Sequence, residues 1–277
     1  MPESTAPPRP VAARRATAVV FFANGAGFGV WAAHIPLLKA GLGLSEGELG
    51  IALLMLAAGA VATMPFVGRC TERFGSRETV AAVALAFAAL VALPPLATGL
   101  AGLALACLVL GAANGGLDVA MNTHAAAVER AWRRPIMSSF HAFYSLGGLA
   151  GAAAAGVAIA AGMAPARSMG AAALVLVALA AAAVPFLGVS RPTATVRAAG
   201  LARPGGFARP GGPALRLGVL ALLGFLAEGS LIDWCAAEDH DMTFIEVMPM
   251  GDLGEEDRLD QYWPLRDLRT RLADRFT

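Results

Sequence analysis

Gly68-Arg69-Cys70-Thr71-Glu72-Arg73-Phe74-Gly75-Ser76-Arg77 is a short charged stretch with a glycine near each end, set between two apolar runs. Glu48 to Phe66 precedes it and Thr79 to Leu100 follows it. Each run is about 20 residues, enough at about 1.5 Å per residue to cross a hydrocarbon core of about 30 Å. The spacing predicts two antiparallel membrane helices joined by this loop. Gly68 and Gly75 permit a sharp reversal. Glu72 is placed to pair with Arg73, Arg77 or a neighbouring helix end. The three arginines bias the loop toward the cytoplasm. The same charges also suit an ordinary basic loop that only closes a hairpin.

Composition agrees with a membrane reading. The chain has 277 residues, 57% hydrophobic and only 15% charged, with a mean hydropathy of +0.63. Soluble domains run near 45–50% apolar and about 25% charged. The net charge of +1 gives no footprint for nucleic acid. Cys70, Cys107 and Cys235 are scattered and fit neither a disulfide framework nor a metal spacing.

Six long apolar segments are expected. Met1 to Val11 is proline-rich and polar and reads as disordered. Arg14 and Arg15 precede helix 1, Ala16 to Leu37. That run is too long for the core of a cleaved signal peptide, and no small-residue cleavage site closes it. Lys39 to Gly47 reads as a polar link. Helix 2 and helix 3 flank the charged loop, and helix 3 is interrupted at Pro94-Pro95. Helix 4 spans about Ala101 to Met121, followed by a charged loop with Glu129, Arg130, Arg133 and Arg134. Helix 5 spans about Ile136 to Ala161. Its Ser145 to Gly151 stretch is rich in small residues, as close packing in lipid requires. Helix 6 spans about Met169 to Val189.

Residues 190–215, dense in Pro, Gly and Arg, read as a linker. A shorter seventh run, Leu217 to Ile232, contains Glu228 and ends at Asp233-Trp234. With a cytoplasmic N-terminus, fourteen arginines fall inside, from Arg9 to Arg216. Only Lys39 and Arg167 fall outside. That asymmetry predicts an inner-membrane, multi-pass protein with its N-terminus in the cytoplasm.

The pattern Gly-x-x-x-acid-Arg-x-Gly-x-Arg, carried by Gly68, Glu72, Arg73, Gly75 and Arg77, resembles the loop between helices 2 and 3 of major facilitator superfamily transporters. Glu72 stands where that family usually has Asp, and Ser76 where a basic residue is common. Phe140-His-Ala-Phe-Tyr-Ser-Leu-Gly-Gly in helix 5 and Asn114-Gly…Asp118-Val-Ala-Met-Asn122 in helix 4 are similar to the sugar-permease-like branch. The resemblance covers residues 12–234. It implies an all-α membrane fold: a six-helix half (16–189), a linker (190–215) and a truncated second half (216–234). It implies transport of a small solute through a lipid bilayer, with protons as a possible partner and no cofactor. A chain that stops inside the second half would be inactive alone.

Polar groups inside lipid are costly and mark candidate sites. Asn114, Asp118 and Asn122 fall on one face of helix 4 at intervals of four. They suit either a substrate or proton path or an interhelical hydrogen-bond knot, with His141 as one partner. His141 and Tyr144 lie on helix 5; the histidine suits proton coupling or simple packing. Asn24 and Trp31 share a face of helix 1, which the resemblance places along the central cavity. Trp31 suits stacking on a sugar-like ring or, near the outer end with His34, interfacial anchoring. Glu228 is a further candidate proton carrier.

The last segment breaks the pattern. Residues 235–277 contain no span and many acids. Met242 to Met248 reads as a strand ended by Pro249, and Pro264 to Phe276 as an amphipathic helix. Asp233-Trp-Cys…Pro-Met-Gly-Asp252 and Asp260-Gln-Tyr-Trp-Pro-Leu265 closely resemble part of the radical-SAM GTP cyclase of molybdenum cofactor synthesis. Such an enzyme holds its iron–sulfur cluster on three closely spaced cysteines, which this chain lacks. The expectation is a transporter half fused at Leu231 to Cys235 to a short α/β remnant without enzymatic activity.

Overall fold

The computed structural model describes residues 10–188 and Arg216. Within them the chain is helical. The helices are α1 (Val11–Leu42), α2 (Glu46–Phe74), α3 (Ser76–Leu90), α4 (Leu100–Trp132), α5 (Met137–Ala160) and α6 (Pro165–Ala183). Short 3-10 turns, Pro94–Leu96 and Val184–Phe186, close α3 and α6. Among the described residues, six helical segments are long and apolar enough to cross a membrane, counting α3 through Leu96. The predicted seventh run, Glu228, the linker and the strand and helix of the tail lie outside the described residues.

The helix limits follow from local chemistry. Ser45 caps α2 in a capping box: its hydroxyl accepts from the Glu48 N–H, and Glu48 accepts from the Ser45 N–H. Gly43 ends α1 in the left-handed region, with φ 65°. Helix α3 stops because Pro94 and Pro95 remove backbone donors and disfavour helix at the residues before them. Its continuation to Leu96 gives 21 residues, about 30 Å of rise. At 32 residues, α1 is longer than any bilayer core requires, so its charged ends reach the headgroup zone.

Several sequence boundaries are corrected. The helix begins at Val11, inside the stretch expected to be disordered, and carries Arg14 and Arg15. The polar link shrinks to residues 43–45. Glu129 and Arg130 are helical, because α4 runs to Trp132, eleven residues past the predicted end. The charged stretch at 68–77 is not a loop. Helix α2 continues through Phe74, and Gly75 alone makes the corner at φ 99°, ψ 155°. Charged residues do not stop a helix that has already left the hydrocarbon. Gly68 sits in helix with open space around it and takes no part in the reversal.

The packing has an internal two-fold. Helix α1 lies mainly against α5, and α4 mainly against α2; α6 covers α1 as α3 covers α4. Exchanging the first three helices with the last three leaves this pattern unchanged. The sequence carries the same repeat at a constant spacing of 90 residues: Ala23-Asn24-Gly25 with His34, and Ala113-Asn114-Gly115 with His124. The 3-10 turns obey it too, since Pro94–Leu96 and Val184–Phe186 are 90 apart. Three-plus-three inverted repeats of this kind occur within transporter halves.

Helices α1 and α4 form the centre, with 67% and 50% of their spans buried, against 17% for α2 and α5. Glycines let the central pairs touch. A methyl group at Gly25 would be driven into the Tyr144 carbonyl oxygen, and one at Gly29 into that of Gly148. In the other repeat, Gly111 and Gly59 meet the carbonyls of Leu56 and Leu108 in the same way. Without a hydrophobic force between helices in lipid, this backbone proximity supplies much of the attraction. Leu54, Val61, Phe66, Leu149 and Val157 point outward from α2 and α5.

Candidate functional site

Near the middle of both central helices, the Asn24 amide donates to the Asn114 side-chain oxygen at 2.9 Å. The two residues are 90 apart and occupy equivalent places in the repeat. Asn24 is 2% exposed, so this bond satisfies an amide that would otherwise face apolar surroundings. Such a bond across α1 and α4 holds the inverted repeats in register.

One turn further along α4, Asp118 is exposed. Asn122 donates to its backbone oxygen at 2.9 Å and to its carboxylate at 3.1 Å. His141 and Tyr144, on α5, lie within electrostatic reach of that carboxylate. His141 is exposed, with the Phe21 ring edge-on at 5.5 Å. The structure thus brings together Asn114, Asp118, Asn122, His141 and Tyr144 along one open side of α4 and α5. It does not join Asp118 to His141 by a hydrogen bond; the carboxylate's side-chain partner is on its own helix. The group offers a carboxyl, amide donors and acceptors, an imidazole and a phenol. Those are the groups that bind a polyhydroxylated or cationic solute.

Trp31 lies elsewhere. It is 2% exposed in the core and offers no ring face to a solute or to the lipid interface in this conformation. At the Gly75 corner, Glu72 is exposed and forms no ion pair among the described residues, while Arg73 lies 5.3 Å above the Phe74 ring. At the corner the Thr79 hydroxyl donates to the Gly75 carbonyl at 2.8 Å, and the Gly75 N–H donates to the Thr71 backbone carbonyl at 3.0 Å.

A second polar centre escaped the sequence reading. His124 is fully buried at the end of α4. Its Nε2 lies 2.9 Å from the Leu187 carbonyl, which only accepts, so Nε2 carries the proton. Nδ1 then accepts from the Ser76 hydroxyl at 3.1 Å. One imidazole joins α4 to the start of α3 and the end of α6. Its repeat equivalent, His34, is also fully buried. Nδ1 donates to the Val30 carbonyl at 2.7 Å, and Nε2 has no partner. The signal was available, because both histidines stand ten residues after the Asn-Gly pair's asparagine.

The family model of the Major Facilitator Superfamily matches residues 17–245. An uncharacterized MFS-type transporter of Yersinia pestis is 34% identical over 221 residues, covering 79% of this chain and 56% of that protein. An uncharacterized transporter of Sinorhizobium fredii is 35% identical over 139 residues, covering 50% of this chain and 37% of that protein. The chain therefore spans about half the length of the curated transporters it matches, or less. A GTP 3',8-cyclase of Paracoccus denitrificans is 58% identical over 64 residues, which is 22% of this chain and 19% of that enzyme. So short a likeness is consistent with the tail alone. The match over most of its length, with six membrane-length helices behind it, makes this chain a member of the Major Facilitator Superfamily.

Proposed function

We propose that this chain forms one six-helix half of a carrier for a small polar solute, with the path along Asn114, Asp118, Asn122, His141 and Tyr144. The observation that carries the reading is the open polar side that runs from Asn114 and Asp118, near the middle of α4 and beside the Asn24–Asn114 bond, to the first two turns of α5. Polar groups at that depth normally face a cavity, and superfamily carriers bind solute between two halves near the midplane. A second six-helix unit completes the path; without it the chain binds solute but does not carry it. The arginine asymmetry supports a cytoplasmic N-terminus in an inner membrane. Likeness to the sugar-permease branch in α4 and α5 favours a sugar-like solute, and His141 suits proton coupling.

The tail's cyclase likeness adds no enzyme to this reading. A cluster of that chemistry needs thiolates close together, whereas Cys70 and Cys107 sit on different helices and Cys235 lies far along the chain.

Binding of radiolabelled monosaccharides to the full chain in nanodiscs tests the site. Asp118→Asn should weaken binding at least about tenfold, the loss expected for a hydrogen bond to a charged group. Unchanged binding, with only a less stable bundle, would make Asp118 a packing residue and refute the path.

A further inference from the structure

We propose that the seam between the start of α1 and the end of α4 is a binding surface for the headgroup of an anionic phospholipid. Arg14 of α1 lies 4.7 Å above the ring of Trp132 on α4, which ties the two helix ends together. Around that contact stand Arg15, Arg130, Arg133 and Arg134, all exposed. None of these four forms an ion pair within the described residues. The one nearby acid, Glu129, is already engaged: its carboxylate accepts the N–H groups of Ile136 and Met137, both at 2.6 Å, and so caps α5.

The two ends of the bundle differ in charge among the described residues. At the opposite end Lys39 is paired with Glu46, and the other described charges there are one arginine, Arg167, and one glutamate, Glu48. At this end, among the described residues, Arg15, Arg130, Arg133 and Arg134 stand outside any ion pair. Clusters of four or more arginines just beyond a membrane helix attract anionic lipid by about 1 kcal/mol each. Guanidinium also matches phosphate in a two-point geometry that lysine lacks.

Two features select a lipid rather than a free phosphate ion. Val11, 44% exposed, opens α1 one turn before Arg14, and Trp132 is the residue type that settles at the headgroup boundary. Val11 presents apolar surface beside the charges, which an acyl chain covers and a dissolved ion does not. This inference rests on the bilayer placement of the bundle and not on the solute path.

The test uses the full chain, purified in detergent and offered equal amounts of phosphatidylglycerol and phosphatidylcholine, with bound lipid counted by native mass spectrometry. Phosphatidylglycerol should dominate. Arg15→Gln and Arg134→Gln should each reduce that preference about fivefold, while Arg167→Gln at the other end should leave it unchanged. These side chains are exposed, so the fold survives their loss; circular dichroism of each variant verifies this. Inorganic phosphate should not displace the lipid. Three results would overturn the proposal: equal uptake of the two lipids, as would follow if the chain's own acidic tail neutralised the arginines; full competition by inorganic phosphate; or a preference insensitive to Arg15 and Arg134 but lost with Arg167.

Discussion

Replacing Asn114 with leucine should cost more than replacing its partner, and the difference can be worked from burial. The bond is 2.9 Å between the Asn24 amide and the Asn114 oxygen. Asn24 is 2% exposed, whereas Asn114 is half-buried on the open side of α4. Asn114→Leu leaves the Asn24 amide buried without an acceptor, a penalty of about 1–3 kcal/mol. Asn24→Leu leaves behind an amide that can turn to solvent or a neighbour, so its cost stays near the average of about 0.6 kcal/mol for bonds between membrane helices. The double variant buries no orphan and should be more stable than Asn114→Leu alone. The assay is unfolding of the full chain in mixed dodecylmaltoside–SDS micelles, followed by circular dichroism and analysed as a double-mutant cycle. Equal single costs, or costs that simply add, would refute the claim that this bond joins the two repeats.

Gly111→Leu should prevent folding, because its side chain would meet the Leu56 carbonyl where α2 crosses α4, whereas Gly156→Leu, with open space around it, should be tolerated; yield of monodisperse protein in detergent distinguishes them. Ser45→Ala removes the capping box of α2 and should destabilise the bundle by about 1 kcal/mol, measured in the same micelle titration. His124→Leu strips the bonds to Leu187 and Ser76 and should cost about 1–3 kcal/mol. His34→Leu removes an unsatisfied nitrogen and should cost less, although the two histidines are equivalent in the repeat.

The helices were legible in the sequence because a bilayer demands about 20 apolar residues per span and no packing partner changes that. Their ends were not. Arg69, Arg73 and Arg130 looked like loop residues because they cannot sit in hydrocarbon, yet α2 and α4 outrun the hydrocarbon and carry them helically into the headgroups. The alignment of Asn114, Asp118 and Asn122 could be read from a spacing of four. Which of them pairs with which could not, because that depends on how α1 and α5 close on α4. Trp31 was ambiguous for the same reason: helix 1 has three packed sides, and the sequence alone does not say which one holds the ring. The 90-residue repeat was present in Asn-Gly…His all along. Eight dissimilar residues separate its matching ends, so it emerges only once the two asparagines are found bonded.

A bundle threaded through a membrane with the Gly75 corner inside the cell is tested most directly by labelling single cysteines with a membrane-impermeant maleimide in intact cells. Cys70, partly exposed at that corner, should react only after lysis when Cys107 and Cys235 are replaced by serine. A Met163→Cys variant, made in a background without the three native cysteines, should react at once, since Met163 lies between α5 and α6 and is 40% exposed. Immediate labelling of Cys70 with protection at 163 would reverse the orientation, and equal labelling at both would contradict the membrane-spanning bundle itself.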